Sequence, residues 1–358
     1  MRILIDINHP AHVHYFKNLI INLKENDHDV TIVARDREFV KELLESLNFP
    51  FINRGKGKKS ILGKLIYMIK ADFQYLRIAL KIRPDLFLSF STPYVHQIAY
   101  LLGKPSIALN DTEHTDRAHS KLTYPFCSSI ITPSNYQNML GSKQIRINSV
   151  IENLYLHRNY FEPDYKAIEE LGIKLDEEFV LLRFVSWNAH HDVGQSGLDI
   201  QAKRNLINIL KKKYRIFISS EEDLNEEFKQ FQINISPEKM HHVLSYASMF
   251  IGESGTMASE SAVLGTPAVY INSLPLMCYL KLEKEEGLLE HFTSSNGVVE
   301  YVTILMQNPN LKSEAKAKCE SMKKKFIDPT QFLTWFIEEY PKSAQIIKEE
   351  PEYQLKFK

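Results

Sequence analysis

The stretch Gly252-Glu253-Ser254-Gly255-Thr256-Met257-Ala258-Ser259-Glu260-Ser261-Ala262-Val263-Leu264-Gly265-Thr266-Pro267 decides the architecture. Before it, the apolar run Met249-Phe250-Ile251 reads as the end of a buried strand. Ser254 and Gly255 make a tight turn, and a helical pattern follows with Met257, Ala258, Ser261, Ala262 and Leu264 on its packed side. A strand that feeds a tight turn and a helix start leaves the first N–H groups unpaired and pointing outward. The helix dipole adds to their pull on phosphate. Glu260 lies about one turn inside that helix, where a carboxylate accepts hydroxyl hydrogen bonds from a ribose. The same residues also read as an ordinary capped strand–turn–helix unit.

Outward from this motif, apolar strand-like runs alternate with helical patterns. Strands are expected at Arg2–Ile7, Val30–Ala34, Phe51–Ile52, Leu86–Phe90, Ser106–Leu109 and Ser129–Thr132. Between them, helices are expected at Val13–Asn26, Glu38–Leu47, Ile61–Arg83 and Tyr94–Leu102. The pattern restarts with strands at Phe179–Val185, Arg215–Ser219, Met249–Ile251 and Ala268–Ile271, and with helices at Ile200–Lys213 and His241–Ala247. Such alternation predicts parallel strands with crossover helices, that is, two α/β Rossmann-like, doubly wound parallel-sheet domains. Ligands of such sheets sit beyond the carboxyl ends of the strands.

Composition agrees with two domains. The 358 residues exceed the usual size of a single core. Lys+Arg and Asp+Glu are both 44, which argues against a whole-chain nucleic-acid footprint. Cys127, Cys278 and Cys319 lie far apart without metal-ligand spacing, so they read as reduced packing thiols and no metal is expected. The opening Met1–Ile7 run is broken by Asp6 and is too short for a cleavable signal. No stretch approaches the roughly 18 apolar residues of a membrane span. The expected location is the cytoplasm.

Three loops carry chemistry-bearing residues. Asn8-His9-Pro10-Ala11-His12-Val13-His14 follows the first strand. A neutral imidazole there is able to take a proton from an attacking hydroxyl, since its pKa lies near neutrality. His12, at the helix entry, is the first candidate; local capping and packing is the plainer reading. Asn110-Asp111-Thr112-Glu113-His114 follows the fifth strand and offers polar groups for sugar hydroxyls, or a solvated Asx-turn. Arg183 lies inside an apolar strand, where an unpaired charge is expensive, so it is expected to meet a carboxylate or a phosphate. After it comes Ser186-Trp187-Asn188-Ala189-His190-His191-Asp192-Val193-Gly194-Gln195, unusually polar for a mere connection. The basic stretch Arg54–Lys70, with Lys56, Lys58, Lys59, Lys64 and Lys70 among apolar residues, is either a solvated flank of a core helix or a face for an anionic membrane.

The segments I-D-I-N-H-P-A-H-V-H-Y-F-K, R-F-V-S-W-N-A-H-H-D-V-G and G-E-S-G-T-M-A-S-E-S-A-V-L-G-T-P together resemble the domain of unknown function 354 family, over roughly Met1 to Pro341. That family is regarded as similar to GT-B glycosyltransferases and to non-hydrolysing UDP-N-acetylglucosamine 2-epimerases. The epimerase phosphate motif reads D-S-G-G-x-Q-E-E, then L-G-x-P. Against it, Glu253 stands at the Asp, Ser254 and Gly255 match, Thr256 replaces the second Gly, and Glu260 matches the last Glu; Leu264, Gly265 and Pro267 keep the spacing. The resemblance thus implies that Ser254–Met257 hold a diphosphate and Glu260 a ribose. The epimerase G-D-T loop reads Phe90-Ser91-Thr92 here, without the acid, and P-E-E-x-N has no counterpart near Tyr124-Pro125.

The expected protein is therefore a glycosyltransferase in a GT-B arrangement, acting in glycan or surface polysaccharide synthesis. Residues 1–162 form the acceptor domain and 163–328 the nucleotide-sugar domain; 329–358 form a helix (about Pro329–Tyr340) crossing back to the first domain, and a charged tail, frayed or loosely helical. Catalysis is assigned to His12, Asp111 and Glu113. Substrate contacts are assigned to Asn8, His9, His114, Arg183, Ser186, Asn188, His190, His191, Glu253, Ser254, Gly255, Thr256, Met257 and Glu260. The substrate is a nucleotide diphosphate sugar, a UDP sugar first, with a hydroxyl acceptor and no cofactor. Peripheral contact at the inner membrane face is a further expectation, and an oligomer is left open. The alternatives are a nucleotide-sugar 2-epimerase or hydrolase, and a non-catalytic nucleotide-sugar binding protein.

Overall fold

The computed structural model describes residues 1–37, 39–57, 61–174, 176–185, 197–220, 223–274, 282 and 285–358, with the backbone alone for 61–66. Met1–His157 together with Phe326–Lys358 make one compact unit, and Arg158–Lys325 make a second.

Unit 1 is built on a seven-stranded sheet of order β3-β2-β1-β4-β5-β6-β7. Its strands are β1 (Arg2–Ile7), β2 (Asp29–Ala34), β3 (Phe51–Asn53), β4 (Leu86–Ser89), β5 (Ser106–Leu109), β6 (Ser129–Pro133) and β7 (Gln144–Ile147). All pair in parallel. Helices α1 (Pro10–Glu25), α2 (Val40–Ser46), α3 (Ile61–Ile82), α4 (Pro93–Leu101) and α5 (Asp116–Leu122) connect them, and the single turn α6 (Asn153–Leu156) closes the stretch. Ile3, Leu4, Ile5 and Ile7 of β1 are wholly buried, as expected for a central parallel strand covered on both faces.

Asp6 interrupts that run and is also wholly buried. Arg54 Nε donates to its Oδ1 at 3.1 Å, with Tyr75 hydroxyl on the same oxygen. Thr92 Oγ1 (2.6 Å) and Asn8 Nδ2 (2.8 Å) donate to Oδ2. A buried charge needs this degree of satisfaction. Burial opposes the Arg54 charge, but Asp6 prevails and holds the guanidinium pKa above its ordinary value.

Unit 2 carries a five-stranded parallel sheet of order β12-β11-β10-β8-β9. Along the chain run α7 (Lys166–Glu169), β8 (Phe179–Phe184), α8 (Ile200–Leu210), β9 (Arg215–Ser220), α9 (Glu226–Lys229) and α10 (Met240–Tyr246). Then follow β10 (Met249–Gly252), α11 (Gly255–Val263), β11 (Ala268–Ile271), β12 (Leu289–Phe292), α12 (Val298–Gln307) and α13 (Leu311–Lys323). Val180, Leu182, Leu206, Ile218, Ile251 and Val269 are part of its core.

The chain then returns to unit 1 with α14 (Pro329–Glu338) and α15 (Lys342–Glu349). Asp328 caps α14, and Thr330 Oγ1 and Asn18 Nδ2 of α1 both donate to the Leu154 carbonyl, at 2.9 and 2.8 Å. His28 and Asn26, just past α1, reach Glu338 at 3.1 and 2.7 Å.

The structure corrects several boundaries. The first helix starts at Pro10 rather than Val13, because Pro suits the first helical position and His9 Nδ1 caps the Ala11 amide at 3.2 Å. Of the two readings of the segment after Lys342, the helical one holds: Tyr353 stacks on Trp335 with centroids 5.0 Å apart, and Phe357 packs edge-on to Phe332 at 5.7 Å. Strands β7 and β12 and helices α12 and α13 are additions to the sequence reading. No helix among the described residues is long and apolar enough to cross a membrane.

Candidate functional site

In unit 2, β10 runs between β8 and β11, and Gly252 lies in register with Arg183. A Cβ on Gly252 would fall 2.7 Å from Arg183 Cβ and 2.8 Å from the Arg183 carbonyl oxygen, so only glycine lets the two strands approach this closely. The chain turns at once into α11. Ser254 is its N-cap in extended conformation, and its Oγ accepts from the Met257 amide at 3.4 Å. Among the described residues no protein acceptor meets the Gly255 and Thr256 amides, and residues 254–257 are half-buried. This is the strand–turn–helix start that the sequence predicts. At the other end of α11, Gly265 adopts φ +76°, and a Cβ there would fall 3.2 Å from Lys316 Cα in α13, which accounts for the glycine of the L-G-T-P turn.

Glu260 is buried in α11, and its Oε1 lies 3.0 Å from His241 Nε2 of α10, both side chains 8% exposed. Phe161 stands edge-on to His241 with centroids 6.2 Å apart. The carboxylate is thus held by a histidine that sequence reasoning missed. Glu253, expected to contact substrate, makes contacts within the chain. Its two oxygens accept from the Val185 amide (2.9 Å) and the Leu198 amide (2.8 Å), and Lys203 Nζ lies 3.6 Å away. It therefore ties Val185 and Leu198, on either side of residues 186–196, to the turn that leads into α11. Ser186, Asn188, His190 and His191, together with Cys278, Lys58 and Lys59, lie outside the described residues. Arg183 is half-buried at the end of β8, and its Nη1 donates to Ser219 Oγ of β9 at 2.7 Å.

In unit 1, early entry into α1 places His12 in the first helical turn. Its ring packs on Phe90 (4.6 Å between centroids) and stacks with Tyr15 (6.1 Å), and His9 lies 5.9 Å away. The Asn8 amide points at His12 Nδ1 from 3.4 Å. Burial, with smaller contributions from His9 and Arg37, holds the His12 pKa well below its usual value, so the ring is neutral. With Nδ1 as acceptor, the neutral ring carries its proton on Nε2 and presents a donor.

Tyr15 follows His12 by three positions on the same helix face. Its hydroxyl reaches Asp111 Oδ2 at 3.4 Å, and Thr112 Oγ1 donates to Oδ1 at 2.6 Å. Burial raises the Asp111 pKa against these hydrogen bonds. The structure therefore brings His12 and Asp111 together through Tyr15, which the sequence reading did not single out. The remaining loop residues diverge. Glu113 is buried, with Oε1 accepting from the Gln137 amide at 3.1 Å, and His114 is exposed. Asn110 donates to the hydroxyls of Tyr124 (2.7 Å) and Tyr136 (2.8 Å). Asn8 serves the Asp6 cluster, and His9 caps α1. Among the described residues no group of three or more His, Cys, Asp and Glu side chains is arranged to hold a metal ion.

Comparison with known proteins places this geometry. The model of a family described as "Protein of unknown function (DUF354)" matches residues 1–328. The uncharacterized protein MJ0665 of Methanocaldococcus jannaschii is 26% identical over 312 residues, which cover 83% of this chain and 89% of that protein. Among solved structures, the UDP-GlcNAc 2-epimerase from Neisseria meningitidis bound to UDP-GlcNAc is similar with a TM-score of 0.63 at 13% identity, over 88% of this chain and 94% of that one. The spinosyn rhamnosyltransferase SpnG complexed with spinosyn aglycone is similar with a TM-score of 0.62 at 11% identity, over 94% and 99% of the two chains. At such identities the likeness is one of fold: two parallel-sheet α/β domains with GT-B neighbours, as expected from the sequence.

Proposed function

We propose that this chain, which belongs to the DUF354 family, is a glycosyltransferase that moves a sugar from a nucleotide diphosphate sugar to a hydroxyl acceptor. The observation that carries this reading is the start of α11, where unpartnered amides at Gly255 and Thr256 stand one turn before a buried, histidine-held carboxylate at Glu260. The amides and the Ser254 and Thr256 hydroxyls suit a diphosphate, and Glu260 suits the ribose. Arg183 adds positive charge near the Gly252 turn. Developing charge on the leaving diphosphate is what such fixed donors stabilise.

On the acceptor side, the hydroxyl oxygen attacks the anomeric carbon as the bond from that carbon to the diphosphate oxygen breaks. The bonding pair leaves with the diphosphate, and the hydroxyl proton passes to a base. Asp111 is the better base, since burial raises its pKa, whereas His12 is held neutral with Nε2–H available to orient the acceptor. Epimerisation is disfavoured because Ser91, whose hydroxyl donates to the Leu109 carbonyl at 2.8 Å, stands where the epimerases carry their loop acid.

A thermal-shift screen with UDP, GDP, ADP, CMP, TDP and their common sugars tests the donor site, repeated on Glu260→Ala and Arg183→Ala. Ligand at about 100 times its Kd is expected to add roughly 2.7 kcal/mol, and both variants are expected to lose the shift. Turnover then separates the readings. A transferase consumes the sugar only with acceptor, an epimerase or hydrolase consumes it alone, and a binding protein does neither. No shift with any nucleotide from folded protein overturns the donor site.

A further inference from the structure

On unit 1, α3 and α4 cover one face of the sheet, burying Ala71, Tyr75 and Ala79 from α3 and Val95 and Ala99 from α4 against Phe87. Their outer sides are not polar. Ile69, Phe73 and Leu80 of α3 are 52%, 65% and 59% exposed, and Tyr100 and Leu101 of α4 are each 66% exposed. Positions 69, 73, 76 and 80 fall on one stripe of a 3.6-residue helix. Of these, Ile69, Phe73, Leu76, Tyr100 and Leu101 border, with Phe126, a groove of ≈570 Å³. Scattered exposed apolar residues are ordinary, but a contiguous patch marks an interaction surface.

The surrounding charge selects the partner. Helix α3 carries Lys64, Lys70, Arg77 and Lys81 against one acid, Asp72, and α4 carries no charged residue. Lys70, Arg77 and Lys81 are exposed along one flank of the apolar stripe, without an acid partner among the described residues. Exposed Lys104 follows α4. Asp72 lines the groove half-buried, with Oδ1 unpartnered, and burial raises its pKa to about 6. An apolar stripe with a basic flank matches a surface that is apolar within and anionic at its edge. A second copy of the same face would bring a basic flank of its own.

We propose that this face docks on a membrane containing anionic lipid, with Ile69, Phe73, Tyr100 and Leu101 entering the acyl boundary and Lys70, Arg77 and Lys81 meeting the phosphate headgroups. None of these residues belongs to the sites described above, so the proposal stands apart from the reaction.

The test is sedimentation of the full chain with vesicles of phosphatidylcholine containing phosphatidylglycerol, and with phosphatidylcholine alone, alongside sedimentation velocity of the free protein. Binding is expected on the anionic vesicles, weakened by salt through screening, and reduced at least about tenfold in Phe73→Glu/Leu101→Glu and in Lys70→Glu/Lys81→Glu. All these positions are exposed, so the variants should keep the parental melting temperature. No binding to anionic vesicles overturns the proposal, as does binding that both variants retain. A dimer in solution that Phe73→Glu/Leu101→Glu dissociates also overturns it and gives the face to a second copy.

Discussion

His241 Nε2 lies 3.0 Å from Glu260 Oε1, and both side chains are almost entirely shielded from water. Removing either residue takes a buried partner from the other's polar atom. Glu260→Ala and His241→Ala are therefore each expected to cost about 1–3 kcal/mol of stability, measured by chemical denaturation. They are expected to be non-additive in the double variant, since the two groups share one interaction. His241→Ala should also weaken nucleotide binding without touching the nucleotide, through loss of the orientation of Glu260.

Glu253 predicts a local effect. Glu253→Ala removes the acceptor of the Val185 and Leu198 amides. Amide hydrogen exchange at those two positions is expected to accelerate, while exchange in β1 and β4 of unit 1 stays as it was. Unchanged exchange at Val185 and Leu198 would show that the carboxylate does not hold these flanks in solution.

Tyr15 and Asp111 govern the pH profile if the proposed reaction holds. Burial places the Asp111 pKa above the usual carboxylate value, so activity should fall on the acid side as this group protonates. Tyr15→Phe removes a donor to the charged form and raises that pKa further. The acid limb of kcat is expected to move to higher pH in Tyr15→Phe, a shift that a purely packing role for Tyr15 would not produce.

Acid sensitivity has a second, structural source. His96 is buried, with Nε2 2.8 Å from Ser89 Oγ, and burial lowers its pKa from 6.5 to about 3. The unfolded chain takes up this proton below pH 6.5 while the folded chain does not, so stability declines as pH falls from 6.5 toward 3. The slope is about 1.4 kcal/mol per pH unit per histidine, and His12 adds to it in the same direction. His96→Gln is expected to flatten the stability–pH curve in this window by about one proton's slope, read from denaturation midpoints across the range.

The interior strands were legible in the sequence because strands buried on both faces are nearly continuous apolar runs, as in Ile3–Ile5 and Met249–Ile251. The edge strands β7 and β12 were not. Only Ile145 and Ile147 of β7, and only Leu289 of β12, are buried, so Gln144, Arg146, Glu290 and His291 break the run. At the candidate site, Ser254, Gly255 and Glu260 could be recognised because capping and turn chemistry are local. Tyr15 and His241 could not, since their partners lie 96 and 19 residues away and nothing periodic links them. Glu253 was legible as part of the turn into α11, but its service to two backbone amides was not, because amide partners leave no mark in side-chain pattern.

Unit 1 is assembled from two separated pieces of chain, Met1–His157 and Phe326–Lys358, with the whole of unit 2 threaded between them. Order of synthesis then imposes an order of folding. On the ribosome, Arg158–Lys325 emerges as one continuous stretch and is able to form its sheet while the first unit still waits for α14 to cover α1. Of the two units, the one begun first is thus the last to be completed. A nascent chain halted before Phe326 would hold a finished second unit and an unfinished first one.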